Sequence, residues 1–372
     1  MRIAIDARMY GNEECTGIGT YIHRLTNELF KIDQKNQYLI FLKEPAFSKF
    51  VCPNDNVEKA LLTPRWYTYG EQLKMPFELM KHKIDLIHYP QFNSPIFYCK
   101  KSICTIHDTT PLHFPGHKMS SFYRKLAHKA VFQATVRKAK KIIAVSNSTK
   151  RDIVKYFHLN PDKIEVTHEG VDERFKIVEK SDIINKVREK FGLEKPYIFY
   201  VGVWRNHKNI EGLIKAFNLL KKKHNLPHQL VLGGREDLHY TAVRAEIKRS
   251  PYQKDIITTG YIEDQELPVL YNQADCFVLP SFIEGFGLIA IEAQSCGCPV
   301  ASTNTSSMPE VLNDSALFFD PNDHSQMADQ IYQVINNPEL KTKLINKGNF
   351  NVQRFSWAKC AKQTLEIYNN IK

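Results

Sequence analysis

Two glutamates eight positions apart, Glu284 and Glu292, bracket a pair of glycines in SFIEGFGLIAIEAQSCGCPVAS (281–302). A carboxylate can accept two hydroxyl hydrogen bonds at once. Gly285 and Gly287 let the backbone come close to an anion. Gly287 and Leu288 open an apolar helix, whose first N–H groups have no partner within it. A phosphate cradle with a carboxylate on either side suits a nucleotide sugar: one sugar at each carboxylate and the diphosphate between them. The plainer reading is a strand, a turn and a buried helix with two stray charges. Earlier in the chain, YVGVWRNHKNI (200–210) places Arg205 and Lys208 after a strand and before a helix. Two cations there suit a diphosphate, since charge and helix dipole pull the same way. Solvated surface cations are the alternative.

Two further loops follow strands. Gly17-Ile18-Gly19 opens a helix and allows close backbone approach to an anion, or it is a turn that needs glycine for steric reasons. The spacing is not GxGxxG with a later acidic residue, which disfavours an NAD site. His107 ends the strand SICTIH, beside Asp108. Such a histidine is either a hydrogen-bonded structural residue or a group at a reacting centre, with Asp108 able to orient it or act alone.

The elements that must position these residues alternate in type. Arg2–Ala7, 37–42, 86–89, 102–107 and 141–145 read as strands in the first half. Residues 21–30 and 121–138 read as helices. In the second half, 197–201, 229–232, 256–259 and 276–279 read as strands, and 212–223, 266–272, 287–294 and 326–335 as helices. Strands spaced by helices predict parallel sheets covered on both faces. Two such series predict two Rossmann-like doubly wound α/β domains facing across a cleft, with ligands at the strand C-termini. The expected boundaries are 1–175 and 190–350, with residues 351–372 returning as a helix to the first domain.

Composition fits a soluble two-domain protein: 372 residues, 43% hydrophobic and 24% charged, with no apolar run long enough to span a bilayer. MRIAIDARMYGNEE lacks the features of a signal peptide, so a cytoplasmic location is expected. The eight cysteines form no CxxC pair, and Cys296-Gly-Cys298 reads as buried small residues rather than a metal site. No DxD pair occurs between the strands, and no metal is expected. The net charge of +11 is uneven: residues 1–175 hold 27 Lys and Arg against 18 Asp and Glu, and no acid lies between Asp108 and Asp152. That span, with Lys118, Arg124, Lys125 and Lys129, is either a solvated face or a surface for anionic lipid or a polyanionic acceptor. No nucleic-acid partner is expected.

The block EGFGLIAIE, followed by A-x-x-C-G-x-P-V, resembles the retaining glycosyltransferases of family 4, which have the GT-B fold. TGIGTY (16–21), TIHD (105–108), AVSNST (144–149), EGVD (169–172), YVGVWRNHKN (200–209), GYI (260–262), PEV (309–311), DP (320–321) and FSW (355–357) occur in the family's order, across essentially the whole chain. The resemblance implies that Glu292 binds the ribose and Glu284 the transferred sugar. It implies phosphate contacts from the amides of Phe286, Gly287 and Leu288 with Arg205 and Lys208. Ile262 would meet the base through its backbone, and His107 would lie against the transferred sugar. Gly17 and Gly19 would approach the phosphates or the acceptor. Val203 stands where many relatives carry an arginine, so Arg205 takes that place in this reading. The combination IDAR…TGIGTY…TIHD is most similar to bacterial-type mannosyltransferases using GDP-mannose, acting on a glycan or lipid-linked acceptor in the cytoplasm or at the inner face of the membrane. A UDP-sugar transferase and a sugar-nucleotide epimerase are the alternatives, and a non-catalytic binding module is disfavoured by the intact cradle.

Overall fold

A computed structural model describes residues 1–11, 17–114, 116 and 121–371. Thr16 and Lys118, singled out above, lie outside these. The chain divides into two compact units: residues 1–170 with 356–372, and residues 171–355. The first boundary therefore falls at Gly170 rather than at 175, and the C-terminal return begins at Ser356 rather than 351.

The first unit is built on seven strands: β1 (Arg2–Asp6), β2 (Gln37–Leu42), β3 (Val57–Leu61), β4 (Leu86–Tyr89), β5 (Ser102–Ile106), β6 (Lys141–Ala144) and β7 (Ile164–Val166). Their order is β3-β2-β1-β4-β5-β6-β7, and every pairing is parallel. The second unit has six: β8 (Tyr197–Val201), β9 (Gln229–Gly233), β10 (Ile256–Gly260), β11 (Cys276–Leu279), β12 (Val300–Thr303) and β13 (Ala316–Phe319). Their order is β10-β9-β8-β11-β12-β13, again all parallel. In each sheet the order reverses beside the first strand, between β1 and β4 and between β8 and β11. Loops leaving those two strands diverge to opposite sides and open a crevice at their C-terminal ends. The central strands are apolar throughout, as YIFYV and CFVL are, because helices cover both faces.

Each unit has its own core. In the second, the helix Ile210–His224 buries Leu213, Ile214, Phe217 and Leu220 against the sheet and against Met327 and Ile331 of the helix His324–Asn336. In the first, the helix Trp357–Asn369 supplies Trp357, Cys360, Ala361, Ile367 and Tyr368 to the cluster holding β1 and the helix Gly17–Ile32. Gly170 permits this return: a Cβ there would lie 2.1 Å from the Trp357 backbone nitrogen. Among the described residues, no helix is long and apolar enough to cross a membrane.

A buried polar chain ties the returning helix to the sheet. Tyr368 Oη lies 2.6 Å from His88 Nδ1, and His88 Nε2 lies 2.8 Å from Thr105 Oγ1, which also meets Tyr21 Oη at 3.2 Å. Hydroxyls can donate or accept, so the chain satisfies a neutral imidazole, whereas a charged one would find acceptors but no counter-charge in a dry core. Burial, with the nearby His107, pushes His88 down to about 3. An unfolded histidine takes its proton near pH 6.5, so between about 6.5 and 3 the unfolded chain binds the extra proton. This contribution to stability is complete above about pH 6.5 and is lost as pH falls toward 3, with a slope of up to ~1.4 kcal/mol per pH unit. Urea midpoints measured from pH 7 to 4.5 should fall less steeply for His88→Gln than for the wild type. Parallel slopes would mean that His88 is not the group that titrates.

Candidate functional site

The crevice of the second unit gathers residues distant in sequence. The loop after β8 brings Lys208, and the loop after β11 brings Glu284, 76 residues later; Lys208 Nζ meets Glu284 Oε1 at 2.6 Å. Both side chains are mostly buried, at 18% and 11% exposure. Ser281 Oγ donates to the same oxygen at 2.7 Å. The carboxylate is thus held through Oε1, and its Oε2 is left to accept from something else. Asn209, left-handed at φ +52°, sets the turn that delivers Lys208; its amide donates to the carbonyls of Pro280 and Pro321 at 3.1 and 2.8 Å. Burial, reinforced by Lys208, pushes the neighbouring His207 down to about 4, so it is neutral at pH 7.

The backbone at Glu284 is clamped from β12. Ser306 Oγ accepts from Glu284 N–H at 3.2 Å and donates to its carbonyl at 2.5 Å, while Ser307 Oγ donates to that carbonyl at 2.9 Å. Thr305 Oγ1 holds the carbonyl of Phe282 at 3.0 Å. Ser306 adopts φ +57°, a left-handed conformation that costs a non-glycine residue roughly 1–3 kcal/mol. The two bonds to Glu284 offset that cost and fix where the carboxylate starts.

Gly287 follows at φ +85°, a left-handed conformation that favours glycine, and a Cβ there would also have to displace the Met308 side-chain end 2.1 Å away. It caps the helix Leu288–Ser295, whose leading amides have no partner within the helix. Phe286 is buried, its ring packed edge-on against Phe355 at 5.4 Å. On the same helix Glu292 is buried and accepts from Tyr271 Oη at 3.3 Å. Ile262 is buried after β10, its side chain over Gly233 at the end of β9. Arg205 does not join Lys208. Its side chain is half exposed, with Nε 3.6 Å from Asp237 Oδ2. Among the described residues, no three His, Cys, Asp or Glu side chains gather as a metal site.

His107, Gly17 and Gly19 belong to the first unit. His107 follows β5, with Nδ1 3.1 Å from Glu169 Oε1, Nε2 3.1 Å from the Pro90 carbonyl, and the Tyr21 ring edge-on at 4.6 Å. Both ring nitrogens are therefore engaged inside that unit. Gly17 is exposed at the start of the helix Gly17–Ile32, and a Cβ there would meet nothing within 4 Å; Gly19 is buried.

Residues 16–175 match the family described as Glycosyltransferase Family 4, and residues 182–349 match Glycosyl transferases group 1. Over 307 residues the chain is 30% identical to O-antigen chain mannosyltransferase B of Escherichia coli, covering 79% of this chain and 77% of that one. This chain belongs to glycosyltransferase family 4. Its fold is GT-B. The sucrose-phosphate synthase of Thermosynechococcus elongatus aligns with a TM-score of 0.79 at 19% identity, covering 99% of this chain and 98% of that one. Anabaena HepE, solved in complex with UDP-glucose, aligns with a TM-score of 0.78 at 17% identity and covers all of both chains.

Several residues that hold the candidate side chains of each unit escaped the sequence reading. Ser281, Ser306 and Ser307 act on Glu284, Tyr271 acts on Glu292, and Glu169 acts on His107. For Ser306 and Ser307 the run STNTSS (302–307), one residue before PEV, was the available signal: closely spaced hydroxyl side chains favour bonds to nearby backbone.

Proposed function

We propose that this glycosyltransferase moves mannose from GDP-mannose, with retention, to a glycan or lipid-linked glycan acceptor, without a metal and in the cytoplasm. The observation that carries the donor reading is the Lys208–Glu284 pair at the β8/β11 crevice, directly ahead of the glycine-capped helix Leu288–Ser295. In this reading the amides of Phe286, Gly287 and Leu288 take the diphosphate, and Lys208 neutralises the charge that builds on it as it leaves. Arg205 reaches the same phosphates by leaving Asp237. Oε2 of Glu284 accepts from the sugar hydroxyls. Glu292 accepts from the ribose, and the Ile262 backbone meets the base. From the first unit, His107 presents its ring carbons or backbone to the sugar, since Glu169 and Pro90 occupy its nitrogens. Gly17 and Gly19 approach the phosphates or the acceptor. The similarity to an O-antigen mannosyltransferase supports mannose as the sugar. The fold shared with a protein that binds UDP-glucose keeps a UDP-sugar as the second reading.

A thermal-shift panel of GDP-mannose, UDP-glucose and ADP-glucose, with EDTA present, tests the donor. The largest shift is expected with GDP-mannose, and a larger one with a UDP-sugar would overturn the base assignment. Glu292→Ala should weaken nucleotide binding by about 1–3 kcal/mol, the cost of losing a charged hydrogen-bond partner. A nucleotide lacking both ribose hydroxyls should bind mutant and wild type alike. Incubation with the donor alone tests the epimerase reading, which requires the epimeric sugar nucleotide to appear.

A further inference from the structure

The β1/β4 crevice of the first unit holds side chains that have no part in donor binding. It lies where the strand order reverses, the place where α/β sheets take ligands. Loops after β1, β3 and β4 meet there around one buried carboxylate. Arg8 Nη2 donates to Glu71 Oε1, and Asn93 Nδ2 donates to Glu71 Oε2. The same Oε2 accepts from the Tyr67 N–H at 2.8 Å. Tyr67 sits at φ +61°, a left-handed conformation that is costly for a bulky side chain. Its hydroxyl donates to Gln91 Oε1 at 3.0 Å, and its ring stacks on Phe92 at 5.6 Å with the planes 30° apart. Tyr67 is thus held by its backbone, its ring and its hydroxyl, yet 49% of the residue stays exposed. Strain kept in place by several anchors, on a residue that covers no core, marks a side chain presented to something outside the fold.

Two polar groups beside Tyr67 have capacity to spare. Gln91 is only 4% exposed, and Tyr67 occupies its Oε1; among the described residues nothing accepts from its Nε2. Asp108 follows β5, the neighbour of β4. The loops after these strands are joined one residue away, where His107 Nε2 meets the Pro90 carbonyl at 3.1 Å. Asp108 Oδ1 accepts from the Thr110 N–H at 2.8 Å, and among the described residues nothing donates to Oδ2. Burial, and then the carboxylates of Glu71 and Asp108, push the Tyr67 phenol up, as expected of a carboxylate standing close to that ring. An aromatic face, an amide with two free N–H groups and a carboxylate with a free oxygen complement a pyranose, which has an apolar C–H face and a rim of hydroxyls. A bare lipid chain would leave the amide and the carboxylate unpaired, and a phosphate would meet the charge of Asp108.

We propose that Tyr67, Gln91 and Asp108 bind a sugar ring of the acceptor, so that the acceptor is recognised through a pyranose and not through a lipid. The ring lays its C–H face on the exposed side of Tyr67. Gln91 Nε2 donates to one hydroxyl, and Asp108 Oδ2 accepts from another. Arg8, Glu71 and Asn93 do not touch the sugar; they are positioning residues that hold Tyr67 and the loop 91–94 in place. The proposal rests on the transferase reading and is independent of the donor's base and sugar.

Saturation-transfer NMR on the full chain tests it, with and without GDP. The probes are methyl α-mannoside, methyl β-glucoside, methyl β-galactoside and methyl β-N-acetylglucosaminide at millimolar concentration. Transfer to the ring C–H protons of at least one probe is expected. Tyr67→Ala should weaken that probe about 3–10-fold, the worth of an aromatic contact. Tyr67→Phe, which keeps the ring, should lose less. Gln91→Leu should cost about 3–10-fold and Asp108→Asn about 10–100-fold, as for a neutral and a charged hydrogen bond. Unchanged melting temperatures show that the variants are folded. The thermal shift with GDP reports on the donor reading by itself, so either reading can fail without the other. Octyl glycosides of the same sugars separate the two sources of such a ring. Equal affinity of the methyl and octyl forms marks a free glycan end, and tighter binding of the octyl form marks a lipid-linked one, provided the variants weaken both. Three results would each overturn the proposal: no transfer to any probe, variants that bind as the wild type does, or binding of sugarless octyl phosphate that Tyr67→Ala abolishes.

Discussion

Lys208→Ala should lower turnover by about 10²–10³-fold, the usual cost of deleting one group that stabilises developing transition-state charge. In the proposed reaction that charge appears on the departing diphosphate, so the loss should fall on kcat as well as on donor binding. Binding of the free nucleoside, which has no phosphate, should barely change. The geometry raises a competing cause. Lys208 also neutralises Glu284 at 2.6 Å in a largely buried setting, and its removal leaves that carboxylate without its cation. The double variant Lys208→Ala, Glu284→Gln separates the two. If the orphaned carboxylate were the cause, neutralising it would restore turnover. If Lys208 serves the leaving group, turnover stays low or falls further, because the sugar contact is now weakened too. Recovery in the double variant would remove Lys208 from the diphosphate site.

The second large effect is expected on stability. Arg8 is fully buried at the β1/β4 crevice of the first unit. Its Nε and Nη2 donate to the two oxygens of Asp6 at 2.7 Å each, Nη2 also meets Glu71 Oε1 at 2.5 Å, and Nη1 donates to Pro64 O at 2.9 Å. Glu71 in turn accepts from Tyr67 N at 2.8 Å and from Asn93 Nδ2. Burial works against the Arg8 charge, but Asp6 and Glu71 hold its pKa above the ordinary value. Burial outweighs Arg8 at Glu71, whose carboxyl is held above the usual range. Removing the cation from such a buried group typically costs about 3–5 kcal/mol. Arg8→Met should therefore destabilise the chain by that amount at pH 7, read from urea denaturation. Two carboxylates left together take up a proton more readily, so the deficit relative to wild type should shrink as the pH is lowered toward 5. A deficit below about 1 kcal/mol at pH 7 would show that water or relaxation compensates the pair.

Long central strands were legible from sequence, because burial on both faces leaves a continuous apolar run such as YIFYV. Short or peripheral strands were not. β7 is three residues, β3 is an edge strand reading VEKAL, β12 reads VAST, whose hydroxyl residues break the apolar run, and β13 is a four-residue edge strand. The helices Tyr69–Leu73 and Met75–Met80 were missed for the opposite reason: with apolar residues on both faces, they lose the contrast that periodicity detects. Around the candidate site, the glycines and carboxylates after β11 could be read locally, since their spacing lies within one loop and helix. That Lys208 would touch Glu284 while Arg205 turned to Asp237 could not. The two cations diverge because Arg205 sits in extended backbone while Lys208 lies in the short turn 206–208, and only the sheet order sets which distant loop they meet. The burial of Arg8 in IDAR had no local signal, because its partner Glu71 lies 63 residues away.

The first unit is assembled from both ends of the chain, with 185 residues of the second unit between Gly170 and Ser356. A ribosome adding about 5–20 residues per second takes roughly 10–40 s to cover that interval. During it the second unit has all it needs to fold, while the first has its complete sheet but not the helix Trp357–Asn369. The surface awaiting Trp357, Ala361 and Tyr368 is exposed for that time, and His88 has no Tyr368 to meet it. Synthesis therefore leaves the N-terminal half with an uncovered apolar face until the helix Trp357–Asn369 arrives, and a nonsense codon anywhere in the second unit leaves both units incomplete.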